Sequence, residues 1–266
     1  MTKLIDHVWL WGQTPGSHHA TAGYHLPGVN KMTPLEGCDF FGIRNCCRVA
    51  MTKGPFPPFD GESESMKDLA RVIWSAVGAG GVHRNEEQFG DLEEVLRQAK
   101  KYPNIVGAIM DDFLLSEARR ANFTPAKLQV MKDHLRNDAG RPLEFWTVYY
   151  DRELQLSVKE YLEMFDVITF WNWYGENLFK LRENLDHIMA QTPEKRFMAG
   201  CYMWDYGNGK PLTAEQMGLQ LEIYREYMKA GKLDGFILCS NCIADVGIAA
   251  VDQTREWLKI HGQEEI

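Results

Sequence analysis

Asp111 and Asp112 stand side by side at the end of the apolar run Gly107-Ala108-Ile109-Met110. Paired carboxylates are the parts needed to cleave a glycosidic bond: one acid protonates the leaving oxygen, and the other attacks or activates water. Asp111 is the stronger candidate. Parity groups it with Gly107 and Ile109, and a glycine on that face suits a crowded interior. Asp112 then opens the following loop, as partner acid or as the residue that orients Asp111. Asp205 is a third candidate, although the Tyr206-Gly207-Asn208-Gly209 that follows it equally suits a turn. Asp151 reads as a surface partner of Arg152, and Glu176 as first-turn charge of a helix.

Flat aromatics suit the apolar faces of sugars, and amides, guanidinium groups and imidazoles suit their hydroxyls. Trp11, Tyr149, Trp171, Trp173, Tyr202 and Trp204 supply the first kind at or just beyond the ends of apolar runs. Gln13, His18, His19, Arg48, Asn172 and Asn241 supply the second. Thr169, Trp171 and Trp173 share one parity while Ile168 and Phe170 share the other, so the tryptophans are expected to face inward.

Two motifs suggest other chemistry. His18-His19, with His25 nearby, raises a metal site, but adjacent histidines point apart and no His-x-His spacing is present. Cys239-Ser240-Asn241-Cys242 matches C-x-x-C, yet it ends the last apolar run and has no second pair. No metal and no cofactor are expected.

These residues need a scaffold that brings strand ends together. Eight short apolar runs recur, each followed by a helix-like segment. They are Val8–Trp11, Asn45–Ala50, Arg71–Ala76, Ile105–Asp111, Leu143–Tyr149, Val167–Asn172, Phe197–Trp204 and Gly235–Ser240. Capping boxes at Thr33-Pro34-Leu35-Glu36 and Thr213-Ala214-Glu215-Gln216, and Thr124-Pro125, mark helix starts. Strands apolar on both faces, alternating with helices, imply a parallel sheet covered on its outside. No glycine-rich phosphate loop follows the first run, which disfavours an open doubly wound sheet. The expectation is an α/β fold: a single (β/α)8 TIM barrel spanning residues 1–266 as one domain, with no dividing linker. The long irregular stretches 12–32, 52–65 and 78–90 then lie at the C-terminal ends of the strands, where such barrels build their sites.

Composition fits that scale. The 266 residues are 45% hydrophobic and 25% charged, enough for a sizeable core. A net charge of -8 argues against nucleic acid or an anionic membrane as partner. No apolar run approaches a membrane span, and Met1-Thr2-Lys3-Leu4-Ile5-Asp6-His7 lacks a signal-peptide pattern. Four of six cysteines (Cys46, Cys47, Cys201, Cys239) fall on expected strands, as buried thiols of a reducing compartment would. A cytoplasmic location is expected.

The segment Gly107-Ala108-Ile109-Met110-Asp111-Asp112-Phe113 resembles a strand-four G-x-x-x-D-D-F signature of uncharacterised bacterial (β/α)8-barrel proteins akin to glycoside hydrolases. Thr169–Trp173, Gly200–Tyr206 and the run from Gly235 to Asp245 are similar to them too. The resemblance covers the chain from about the third strand onward and implies a carbohydrate-related hydrolase. The Asn-Glu pair that ends strand four in the largest retaining clan is replaced here by Asp111-Asp112, so it assigns neither acid nor stereochemistry. The favoured function is a glycosidase-like hydrolase acting on a small saccharide. The alternatives are a metal-dependent sugar isomerase or epimerase barrel and a non-catalytic carbohydrate-binding barrel.

Overall fold

A computed structural model describes residues 2–266. Eight strands form in chain order: β1 (Val8–Gly12), β2 (Asn45–Arg48), β3 (Arg71–Val77), β4 (Ile105–Met110), β5 (Glu144–Tyr150), β6 (Val167–Trp171), β7 (Arg196–Tyr202) and β8 (Gly235–Cys239). Every neighbouring pair is parallel, and β1 pairs with β8 to close the barrel. The chain is a (β/α)8 TIM barrel.

Two expected strands overrun the observed ones by two residues, for local reasons. After Arg48 the chain leaves the ladder, and the Ala50 amide donates to Ser75 Oγ instead. After Tyr202 it turns away, and the Trp204 indole donates to the Tyr24 carbonyl in the loop after β1. The helix starts follow the capping chemistry. Thr33 and Thr213 accept from the amides of Glu36 and Gln216, and Thr124 from that of Lys127. Each such cap contributes roughly 1 kcal/mol.

Alternation along the strands sorts the core into two layers. Outward residues pack under the helices: Trp74 of β3 stacks on Phe59 with ring centroids 4.3 Å apart. Inward residues fill the barrel, as Trp9 and Trp146 do at 5.1 Å. Crowding there explains Gly107, where an added Cβ would lie 2.4 Å from the Glu144 carbonyl oxygen and 2.8 Å from Ile73. All six cysteines are buried and unpaired. Among the described residues no helix is long and apolar enough to cross a membrane.

Candidate active site

The last inward residues of the strands and the loops beyond them enclose one crater at the C-terminal end of the barrel. Its floor is set where β3 and β4 end. The Asp111 amide still donates to the Val77 carbonyl, 2.9 Å, so Asp111 is held by the barrel itself. Asp112 then takes a left-handed conformation (φ 49°), which aspartate tolerates better than most residues. Its carboxylate is fixed from two sides, by the Tyr150 hydroxyl at 2.8 Å and the Gly80 amide at 2.9 Å. Beneath both acids lies a buried arginine. Arg119 Nη1 donates to the carbonyls of Gly78, Asp111 and Asp112, and Nη2 to Val82 and to Glu86 Oε1 at 2.7 Å. One guanidinium thus ties the loop after β3 to the loop after β4.

Aromatic rings make the walls. Trp171 packs edge-on to Trp11 at 5.1 Å and tilts against Tyr202 at 4.9 Å. Its ring occupies the space over Gly200 of β7, where a Cβ would come within 1.8 Å of the indole, and its Nε1 donates to Thr169 Oγ1 at 2.8 Å. Trp173 stands beyond it, edge-on to Tyr150 and Tyr202. From the loops come Tyr24 and Tyr206, ring centroids 4.9 Å apart, and His18, whose Nδ1 shares a 2.7 Å hydrogen bond with the Tyr206 hydroxyl. The pocket holds about 410 Å³ of atom-free space, its open mouth included. It suits the end of a small ligand rather than a long one.

Burial dominates the electrostatics. Asp111 is 3% exposed, and among the described residues no side chain donates to its carboxyl; the Arg119 bond goes to its backbone carbonyl. Desolvation holds its pKa well above the usual carboxylate value; Asp112 adds to the rise, and Arg119 opposes it. Its neutral, protonated form is thereby favoured. Burial pulls His18 down to about 3, so that imidazole is neutral at pH 7. Glu153, also buried, is pushed up to about 7 by desolvation, against the pull of the Tyr150 amide that donates to its Oε2 at 2.7 Å. Its Oε1 has no partner. Gln13 Oε1 is likewise buried without a partner, in a side chain that lines the pocket.

Of the residues singled out from sequence, Asp111, Asp112, Trp11, Gln13, His18, Trp171, Trp173 and Tyr202 line this pocket together. The others lie off it. Asp205 binds the Asn208 amide and side chain in its own turn and packs on Gly175, which is turn chemistry. Arg48 reaches Glu62, the Gly12 and Val49 carbonyls and Thr14, holding the end of β1. Tyr149 faces outward and donates to the Glu153 carbonyl; it is Tyr150 that lines the pocket, in register with Trp146 and Val148. His19 turns to the Pro27 carbonyl. Asn172 is buried with neither amide atom bonded, and Trp204 is committed to Tyr24. Asn241 brackets the backbone of Gln13, accepting from its amide at 2.8 Å and donating to its carbonyl at 2.9 Å. His18 and His19 diverge, and among the described residues no three His, Cys, Asp or Glu side chains gather as metal ligands would. Tyr24 and Tyr206 sit in loop segments and Arg119 in the short helix Glu117–Asn122 beyond β4, where no periodicity marks them. The signal that finds Tyr150 in place of the expected Tyr149 is parity, which groups it with Trp146 and Val148.

No known family model matches the chain, and no curated relative does. Solved structures do. A GH113 β-1,4-mannanase shares the whole length of both chains at 13% identity with a TM-score of 0.58. Active domain 2 of a Pyrococcus furiosus chitinase, complexed with chito-oligosaccharides, matches at TM-score 0.56 and 12% identity over 98% of this chain and 97% of its own. The fold is a (β/α)8 barrel that these glycoside hydrolases share. The aldolase QR15 matches at 0.54 and 12% over 98% of each chain, so the barrel alone does not choose a reaction.

Proposed function

We propose that the chain is a glycosidase-like hydrolase acting on a small saccharide, with Asp111 as the general acid. The carrying observation is the Asp111 carboxyl itself. It is buried at the floor of an aromatic pocket, unserved by any donor side chain, with a second acid next to it in the chain. A carboxyl kept protonated near neutral pH is what a leaving oxygen needs.

In the reaction, Asp111 passes its proton to the glycosidic oxygen as the bond to the anomeric carbon breaks. Asp112, aimed by Tyr150 and Gly80, either attacks that carbon, forming a glycosyl ester that water then cleaves as Asp111 takes back its proton, or takes a proton from the water that attacks it directly. Retention of anomeric configuration marks the first course and inversion the second. Trp171 and Trp173 would face the sugar ring, with Trp11 and Tyr202 behind them. The ligands in the names of the neighbouring glycosidases support a saccharide, and the reaction requires no cofactor. Buried, unpaired thiols at all six cysteines support a reducing, cytoplasmic setting, and we take residues 1–266 as one functional domain.

The test uses aryl glycosides whose leaving groups differ in acidity. Asp111→Asn should lose most activity on poor leaving groups and least on good ones. An equal loss on all of them would remove Asp111 from the role of acid, and full activity on all would move the site elsewhere.

A further inference from the structure

All eight strand ends contribute to the lining of the pocket, from Trp11 of β1 to Cys239 at the end of β8. Whether such a crater is a cleft open at two sides or a blind well depends on the loops beyond the strands. Here each loop meets the next. Lys53 after β2 lies over Gly16 after β1, with its Nζ 3.2 Å from where a Cβ would stand. The Thr52 methyl lies 3.1 Å from the same point on Gly81 after β3. The Gly80 amide and the Tyr150 hydroxyl converge on Asp112, which joins the loops after β3 and β4 to the end of β5. From there the Trp173 amide donates to Asp151 at 3.1 Å, and the Gly207 amide to the Trp173 carbonyl at 3.0 Å, carrying the wall on to β7.

The last seam spans the β8 position, where the chain turns straight into a helix at Asn241. The long loop after β1 crosses it to meet the loop after β7. Trp204 Nε1 donates to the Tyr24 carbonyl at 2.8 Å, His18 bonds the Tyr206 hydroxyl, and the Tyr24 and Tyr206 rings lie 4.9 Å apart. Tyr24 therefore stands where one open side of a cleft would lie. The rim is a closed ring around a single mouth.

An internal residue of a glycan carries a glycosidic bond on either side, and both must have a way out of the site. A terminal residue carries one, and one mouth suffices. The residue in the well is also the one whose anomeric carbon meets the two acids. A residue whose only glycosidic bond runs through that carbon is the non-reducing end. We propose that the protein is exo-acting: it admits the non-reducing terminal residue of a glycan and releases it singly, while the rest of the chain stays outside the mouth. This rests on the hydrolase reading for bond cleavage, though not for the selection of an end. Water adds across the bond: the anomeric carbon takes the hydroxyl, and the departing chain keeps the glycosidic oxygen with the Asp111 proton. The atom-free space of about 410 Å³ lies low in the range of small-molecule sites, as a well for one ring should. A polymer offers such a site only its ends, so a hydrolase of internal bonds would be the reaction that supplies its substrates.

The experiment gives the full chain β-1,4-linked pentaoses of mannose, glucose and N-acetylglucosamine, each with its non-reducing end free or capped as a 4,6-benzylidene acetal. Mass spectrometry should find monosaccharide and tetraose as the first products, and the cap should lower kcat/KM by at least about tenfold. Early release of dimer and trimer, or equal cleavage of capped chains, overturns this inference and leaves the hydrolase standing. Should no chain be cleaved, calorimetric binding of the same chains separates the two readings. Binding of free but not capped ends then sinks the hydrolase only; binding indifferent to the cap, or none at all, sinks both. Tyr24→Ala, checked for folding by its thermal transition, should open the rim and admit capped chains. A folded variant that still excludes them overturns the rim as the cause, and if the variant does not fold the wild-type comparison decides alone.

Discussion

The two ends of the barrel are built from similar residues and finished differently. At the N-terminal end a broad hollow holds Trp9, Trp146, Arg71, Glu144, Arg196 and Asp234, with about 1370 Å³ of atom-free space against about 410 Å³ at the crater. Its polar groups answer one another. Arg196 pairs with Glu144 at 2.6 Å and Asp234 at 3.5 Å, the Trp146 indole donates to Glu144, and Arg71 lies 4.8 Å over Trp9 while bonding Asn45. In the crater the Asp111 carboxyl has no donor side chain, and Gln13 Oε1 has no partner at all. The ends differ in satisfaction, and size points the wrong way. Unmet polar groups cost stability that a protein recovers only by binding something.

The largest expected effect is at Asp111. Asp111→Asn should lower turnover of a poor-leaving-group glycoside by about 10²–10⁴-fold. It should also stabilise the fold by roughly 0.5–2 kcal/mol at pH 7 in denaturant titrations. The sign follows from linkage: a raised native pKa means stability is full below the unfolded-state value and falls as pH rises through the native one. Asparagine lacks that fall. A stability loss at neutral pH would show the carboxyl to be a satisfied structural group, and the ends would no longer differ.

Next is Arg119. Arg119→Met leaves five loop carbonyls and the Glu86 carboxylate without their donor. The expected cost is about 3–5 kcal/mol of stability, with turnover reduced even at temperatures where the variant stays folded. Normal turnover in the folded variant would mean the acids hold their geometry unaided.

Glu153→Gln gives a smaller, pH-dependent signature. With Glu153 pushed up to about 7, wild type loses stability as pH rises through that value, and the variant should not. The two should match in acid and part by about 1–3 kcal/mol above pH 8. Curves that run parallel across pH would deny the buried charge. The smallest effect belongs to the other end. Arg196→Ala, at a half-exposed ion pair, should cost at most about 1 kcal/mol and leave turnover unchanged. A turnover defect there would join the two ends functionally.

What could be read from sequence divides along the same physical line. Strand positions were legible because doubly buried parallel strands are apolar runs, and parity then turned Trp171 and Trp173 inward as it would have turned Tyr150. Polar residues at strand ends were not. Arg48, Asp205 and Asn241 have the types a sugar site needs, but the loops beside them have backbone groups to satisfy, and those were nearer. Tyr24 and Arg119 come from irregular segments or beyond them, whose placement depends on contacts far away in the chain.

The Asn241 bracket carries a consequence for how the protein comes into being. Its bonds to Gln13 and Met32 join residues more than 200 positions apart, and they fix the stretch that delivers Gln13 to the pocket. Contacts of such sequence separation close late, because the loop entropy must be met first. A nascent chain synthesised through β7 already holds both acids and nearly every ring, yet has nothing to set Gln13 in place. Binding competence therefore arrives with the last strand, in one step, and a saccharide that stabilises the folded chain would act as a latch on the finished barrel and give no help to its earlier intermediates.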